Sequence, residues 1–218
     1  LPAVKRLAAY LNDPVNRRYP LTLWKVRAGA MRSALTFKGL NSDILEFLEE
    51  DEWYPSWSYA ADLVYEMPID LDSPFYWLHS FGLGYHHFDH YRQEGDQRFD
   101  FALAGTFAYY QTSLKYFLQQ DKKVMPFLLT GVGLGLKLRE QSEILRIDQR
   151  EHFETFFLEE EIFNTSRFIF SLTGGVEMPL TSRYLLTAEA GLVLEQGGFG
   201  KSFTRIRAFG LFFSFNFF

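Results

Sequence analysis

The sequence predicts an all-β protein: an eight-stranded antiparallel up-and-down transmembrane β-barrel with a short N-terminal amphipathic helix. Three observations carry this. The stretch 203–218, FTRIRAFGLFFSFNFF, places an aromatic residue or Leu at every second position from Phe209 to Phe217, the period of a strand with one strongly apolar face. Phe and Tyr number 24 and 12 and hydrophobic residues make up 47%, yet mean hydropathy is only −0.13. Alternation resolves that mismatch, because only every second residue of a barrel strand meets lipid. Finally, a Phe-rich strand with a free edge would recruit other chains in water, whereas a closed barrel in a bilayer pairs that edge.

The totals narrow the classes further. Charged residues interrupt every apolar run well before the roughly 18 residues a spanning helix requires. With no cysteine there is no disulfide, thiol nucleophile or thiolate metal site. The net charge of −5 argues against a nucleic-acid partner. The sequence starts at Leu1 rather than Met, and export by way of a cleaved signal peptide is the expectation.

Residues 1–20 form a separate unit, a helix and linker ahead of the barrel at 21–218. In PAVKRLAAYL, Val4, Leu7, Ala8 and Leu11 share one helical face, and Asn12, Asp13 and Pro14 end it. Such a helix is a packed terminus, an interfacial anchor or a partner contact.

From residue 21 the period is two. Strand one, 21–37, puts Thr22, Trp24, Val26, Ala28 and Ala30 outward and Lys25, Arg27 and Gly29 inward. Strand two, 56–67, sets Trp57, Tyr59, Ala61, Leu63, Tyr65 and Met67 against Ser58, Asp62 and Glu66. After the short turn 69–74, strand three, 75–91, carries Phe75, Trp77, Phe81, Leu83 and Tyr85 outward and Ser80, Gly82 and Gly84 inward. QEGD at 93–96 reads as a tight hairpin turn. Strand four, 98–118, has its apolar residues at odd positions from Phe99 to Phe107 and at even positions from Leu114 to Leu118. The change of phase predicts a β-bulge near 111–113; a split into two strands is the competing reading.

Strand five, 124–139, sends Leu128, Val132, Leu134, Leu136 and Leu138 outward and Gly131, Gly133, Gly135, Lys137 and Arg139 inward, the glycines leaving room for bulky neighbours. A long polar insert, 140–162, follows. Strand six, 163–178, sets Phe168, Phe170, Leu172, Val176 and Met178 against Arg167, Thr173 and Glu177. Strand seven, 184–195, sets Tyr184, Leu186, Ala188, Ala190, Leu192 and Leu194 against Thr187, Glu189 and Glu195. GGFGKS at 197–202 turns into strand eight, with Phe209, Phe213, Phe215 and Phe217 outward and Phe218 in the opposite phase.

PFLLTGVGLGLKL (126–138), the PLTSRYLLTAEAGL hairpin (179–192) and the aromatic final strand resemble the small eight-stranded outer-membrane barrels of Gram-negative bacteria, the OmpA/OmpX-like group. The resemblance covers 21–218. It implies a bacterial outer-membrane location, membrane lipid and lipopolysaccharide as surroundings, and the barrel-assembly machinery as a partner during biogenesis. For activity it implies little, since the group contains structural, adhesive and enzymatic members.

An eight-stranded barrel has a lumen only wide enough for side chains. The expected inward charges are Lys25, Arg27, Lys137, Arg139 and Arg167 with Asp62, Glu66, Glu177, Glu189 and Glu195, five of each sign. Charges away from water need partners, so the balance predicts a closed ionic network rather than a conducting pore, with Asp62 or Glu66 facing Lys25 or Arg27. Trp24, Trp57, Trp77 and Tyr184 read as interfacial girdle residues.

Chemistry is sparse. His86, Asp89 and His90 are weak metal candidates, since a strand sends consecutive residues to opposite faces. His79 and Ser80 face apart for the same reason and cannot form a dyad. The acid-rich stretches 43–53 and 151–161 read as solvated loops, with Asp43 and Glu46 at capping-box spacing and no Ca²⁺-loop motif. Asn164-Thr165-Ser166 is a chance sequon. The sequence therefore points to a non-enzymatic barrel without a cofactor. It would act as a structural or interaction protein through its loops, lipid face or N-terminal helix, with a protein partner or an oligomer as candidate company. The alternatives are a lipid A deacylase- or acyltransferase-like enzyme and a small channel.

Overall fold

The computed structural model describes residues 23–38, 55–70, 73–94, 97–119, 123–147, 153–157, 161–180, 184–198 and 203–217. The helix expected within 1–20, the acidic stretch 43–53, residues 151–152 and 158–160 of the acid-rich patch, the Gly95–Asp96 hairpin tip and Phe218 lie outside them.

The described residues form nine strands: β1 (Leu23–Lys38), β2 (Ser56–Pro68), β3 (Phe75–Glu94), β4 (Gln97–Phe117), β5 (Met125–Ile147), β6 (Phe153–Phe157), β7 (Ser166–Pro179), β8 (Leu185–Gly197) and β9 (Phe203–Phe217). Eight of them close a ring. Each pairs antiparallel with its neighbours in the order β4-β3-β2-β1-β9-β8-β7-β5, and β4 pairs with β5 to complete it. The closing seam of β1 on β9 runs from Trp24↔Phe217 to Lys38↔Phe203. This is the strand number and order that the resemblance to the OmpA/OmpX-like group implies. The ninth strand, β6, is a short spur paired only with the end of β5, Glu143–Ile147, among the described residues. Much of the expected polar insert is thus an extension of the barrel wall.

The wall is uneven in height. β3, β4 and β5 have 20, 21 and 23 residues, against 13, 14 and 13 in β2, β7 and β8. One side therefore rises well beyond the other at the end that carries the longer connections. At the opposite end the turns after β2, β4 and β7 are short.

Sidedness is inverted relative to a water-soluble barrel. Phe213 and Leu211 are 60% and 53% exposed on the outside, while Lys25 and Glu177 are 3% and 0% exposed within. Trp24, Trp57, Trp77, Tyr184, Phe209 and Phe215 are likewise exposed on the exterior. No aqueous driving force would turn a chain inside out in this way, but a hydrocarbon solvent does, since it rewards apolar contact and leaves every strand edge paired. The barrel is a transmembrane one. A belt about 25 Å tall needs about ten residues of tilted strand, which on β1 runs from Trp24 to the level of Arg32 and Ala34.

Two expectations about register are corrected. β4 pairs with β3 without a break from Phe75↔Tyr116 to Glu94↔Gln97, so it is one strand with no bulge at 111–113. The change of apolar phase has another cause. Odd positions face inward along all of β4, and Phe101, Leu103 and Phe107 are buried in the lumen while Tyr110, Tyr116 and Leu118 face out. The irregularity lies on β5, where Thr106 pairs with Arg139 and Phe107 with Lys137, leaving Leu138 as the extra residue. Beyond it the strand's phase reverses, so Arg139 is exposed on the outside and is not a lumen residue.

Candidate functional site

The lumen is the most built part of the molecule, and it is filled in layers. At the short-turn end Leu23, Val64, Tyr76, Leu78, Phe117, Met125, Phe127, Leu129 and Leu185 pack together as an apolar floor. Each comes from the inward phase of its strand, next to the termini of the ring.

Above the floor sits a four-membered ionic ring contributed by β1, β2, β4 and β7. Lys25 Nζ lies 2.7 Å from Glu66 Oε2 and is also paired with Glu177. Lys115 Nζ lies 2.9 Å from both Glu66 Oε1 and Glu177 Oε2. Each lysine thus bridges both carboxylates, and Thr187 Oγ1 donates a further hydrogen bond to Glu177 at 2.8 Å. Lys115 also stands over the rings of Phe117 and Phe127, at 4.4 and 4.5 Å from their centroids. Burying an ion costs several kcal/mol unless it is paired, and here each ammonium lies within ion-pair distance of both carboxylates.

The next layer is Arg27, whose Nε and Nη2 donate to the Asp62 carboxylate at 3.0 and 2.6 Å and whose Nη1 lies 3.3 Å from Glu189. This fork is the geometry in which a guanidinium binds a carboxylate best. Phe212 lies against the same guanidinium at 5.5 Å. Gly29 and Gly82 let the layer close: a Cβ on Gly82 would stand 2.5 Å from Asp62 Cβ, and one on Gly29 would collide with the Phe212 ring.

Toward the loop end, Arg167 Nη1 pairs with Glu195 Oε2 at 2.7 Å, and His86 Nε2 approaches Glu195 Oε1 at 3.1 Å. His86 Nδ1 lies 3.0 Å from Ser58 Oγ. The Arg167 guanidinium stacks on Phe107, 3.4 Å from its centroid. Between this layer and Arg27 is a cavity of about 50 Å³ bordered by Gln111, Ser171 and Thr173. Its volume is on the scale of one or two waters, not of an ion path.

The lid is a second apolar cluster, Leu35, Phe37, Phe88, Phe101, Leu103, Phe107, Ile144, Ile162, Phe163 and Ile206. Ile162, the last residue of the expected polar insert, and Phe163, expected to open strand six, precede β7 and fold back into the barrel mouth. They are held by one carboxylate: Glu140 accepts the Ile162 N–H at 2.6 Å and the Phe163 N–H at 3.1 Å. Lys137 Nζ fixes the same group at 2.9 Å, and also reaches Glu161 at 2.7 Å and the Phe163 carbonyl at 2.7 Å. A Cβ on Gly105 would stand 2.7 Å from Phe163 Cε2, so that glycine makes room for the plug.

Set beside the expected lumen list, Lys25, Arg27, Asp62, Glu66, Arg167, Glu177, Glu189 and Glu195 face inward and make these contacts, Lys137 joins the mouth, and Arg139 does not belong. Lys115 and Glu140 take part without having been singled out. Lys115 alternates with the outward Leu114 and Tyr116, so strand phase alone could have found it. Glu140 could not be found that way, because the β5 irregularity reverses its phase. The glycines of β5 make room for adjacent strands rather than for groups from across the lumen. Gly131 lies against Gln111 and Ser113 of β4, and Gly135 makes room for Arg167, its pairing partner on β7.

His86 and His90 face the lumen while Asp89 is exposed outside beside His87, 3.0 Å away, so the three cannot share a metal ion. His79 faces out and contacts the Tyr110 hydroxyl at 2.7 Å, while Ser80 is buried inside. The pair stands on opposite sides of the wall.

No protein-family model matches this chain, and no curated protein matches it. Among solved structures it is similar to Neisserial surface protein A, at 13% identity over 88% of this chain and 95% of that one, with a TM-score of 0.43. It is similar to Ail of Yersinia pestis in complex with sucrose octasulfate, at 12% identity over 89% and 99%, TM-score 0.36. It is also similar to the N-terminal β-barrel domain of Pseudomonas aeruginosa OprF, at 13% identity over 88% and 97%, TM-score 0.31. These are likenesses of fold alone.

Proposed function

We propose that the protein is a non-enzymatic integral barrel of the bacterial outer membrane, with a sealed lumen, that acts as a structural or interaction protein through its loop end and lipid face. The observation that supports this is the layered filling: among the described residues an apolar floor, three ionic layers and an apolar lid leave lumen cavities of only about 50 and 10 Å³. A hydrated ion would have to break Lys25 and Lys115 away from both carboxylates, each step exposing a buried charge. The tall β3–β4–β5 side offers protein surface beyond the belt, where a partner or a second copy could dock. Export by a cleaved signal peptide and insertion by the barrel-assembly machinery, which reads the aromatic last strand, complete the proposal.

Planar-bilayer recording of the refolded chain tests it. The expected trace is flat; steady nanosiemens openings would replace this reading with that of a channel. Unboiled protein should also migrate differently from boiled protein on a detergent gel, and identical migration would count against a membrane barrel. Mass spectrometry of lipid A incubated with the protein covers the enzyme alternative, for which an unchanged acyl pattern is expected.

A further inference from the structure

The outward charges of the barrel are not spread evenly around it. Along β7, β8, β9, β1 and β2 the outward positions carry four charged residues, all basic: Arg32 and Lys38 on β1, Arg205 and Arg207 on β9. On the remaining wall the outward charges are mixed, with Asp89, Asp100 and Glu143 beside Arg98 and Arg139.

The four cations are neighbours. Across the closing seam Arg207 pairs with Ala34 and Arg205 with Thr36, which makes Arg32 a diagonal neighbour of Arg207 and Lys38 of Arg205. All four are exposed. Arg205 donates to the neutral Gln196 Oε1 at 2.9 Å, and none of the four forms an ion pair with a described residue. Like charges on adjacent positions of one face repel, and among the described residues the cluster has no carboxylate paired with it, unlike the cations of the lumen.

Its height is equally specific. Arg32 faces Trp57 on β2 and Phe209 on β9, both more than half exposed at the top of the apolar belt. Arg32 and Arg207 lie about ten residues above the aromatic ring at the other end, where a belt of about 25 Å ends. The cations therefore sit where lipid headgroups begin, on the side of the longer connections. Guanidinium forks match phosphate oxygens in pairs.

From this placement we infer that the β1–β9 seam is a binding site for the phosphorylated headgroup of an outer-leaflet glycolipid. Its acyl chains lie along Phe209, Leu211 and Phe213, and its phosphates lie between Arg32, Arg205 and Arg207. The inference rests on the outer-membrane reading above.

The test uses the refolded full chain in detergent micelles, titrated with bisphosphorylated lipid A and read by native mass spectrometry. The triple variant Arg32→Gln/Arg205→Gln/Arg207→Gln should lose at least tenfold in affinity, and Arg98→Gln/Arg139→Gln on the mixed wall less than twofold. Dephosphorylated lipid A should bind the wild type no better than lipid A binds the triple variant, and millimolar inorganic phosphate should not displace lipid A. Undiminished binding by the triple variant, or equal binding of the dephosphorylated lipid, overturns the inference. So does a wild type that fails to bind while a variant with the acids of 43–52 changed to amides binds, because the patch would then have an internal occupant. Heat-modifiable migration of each variant separates the two levels. A chain that inserts but ignores lipid A loses this inference alone, whereas one that never inserts loses the outer-membrane reading.

Discussion

Glu177 is the residue on which the interior turns, since Lys25, Lys115 and Thr187 all converge on its carboxylate. Removing one partner of a buried pair leaves the other charge uncompensated, at about 3–5 kcal/mol. Glu177→Gln should lower unfolding free energy in urea by that order. The double change Lys115→Met/Glu177→Gln should cost less than the sum of the two single ones, because it removes one cation together with the carboxylate; additivity would show that the ring is not one unit. On the outer face the sign of chemistry reverses. Phe213 stands near mid-belt, and Phe213→Arg should cost about 2–4 kcal/mol, whereas Phe209→Arg, near the headgroups, should cost about 0–1. Equal penalties at both positions in the same unfolding assay would contradict the placement of the belt.

At the scale of elements, the return of Ile162 and Phe163 into the mouth is the least expected feature. It depends on Glu140 and Lys137, which bracket the one irregular residue of β5. The extra residue reverses the strand's phase, so that Glu140 turns in while Arg139 turns out. Glu140→Ala should free the plug: amide exchange at Ile162 and Phe163 should rise by at least tenfold, while exchange in β7 and β8 stays unchanged. Gly105→Val should evict the same segment by bulk, since a Cβ there already overlaps Phe163. Unaltered exchange in both variants would mean that the lid is held by something other than these two residues. The phase change in β4 belongs to this scale as well. Phe101, Leu103 and Phe107 were legible as apolar, but their face was not, because a lumen lined with Phe and a lipid face lined with Phe follow the same alternation.

For the whole molecule, the proposed seal is redundant. Lid, ionic layers and floor each fill a different level of the lumen, so opening one should not open the barrel. Phe163→Ser combined with Glu140→Ala should leave bilayer conductance at baseline, and conductance in that variant would show that the lid alone is the seal. The three described tryptophans, Trp24, Trp57 and Trp77, all face outward, so bromine-labelled acyl chains should quench most of the emission from these positions. Emission insensitive to brominated lipid would contradict the inverted arrangement. The unequal strand heights give the barrel a tall side with mixed outward charge, β3 to β5, and a lower side that carries the basic seam of β1 and β9.

Strand number, order and sidedness were written in the period of two, because a barrel in lipid imposes the same inward and outward alternation on every strand, whatever its neighbours. Nine of the ten charges expected inside face inward for the same reason, Lys137 at the mouth among them, and Lys115 could have been added by the same rule. What alternation cannot carry is a local break in it. The extra residue at Leu138 moved Arg139 out and brought Glu140 in, and only the pairing of β5 with β4 reveals it. Nor does a one-dimensional pattern say which cation meets which carboxylate. That choice was made by register and by curvature of the closed ring, which bring β1, β2, β4 and β7 to one point in the lumen although their residues are far apart in the chain.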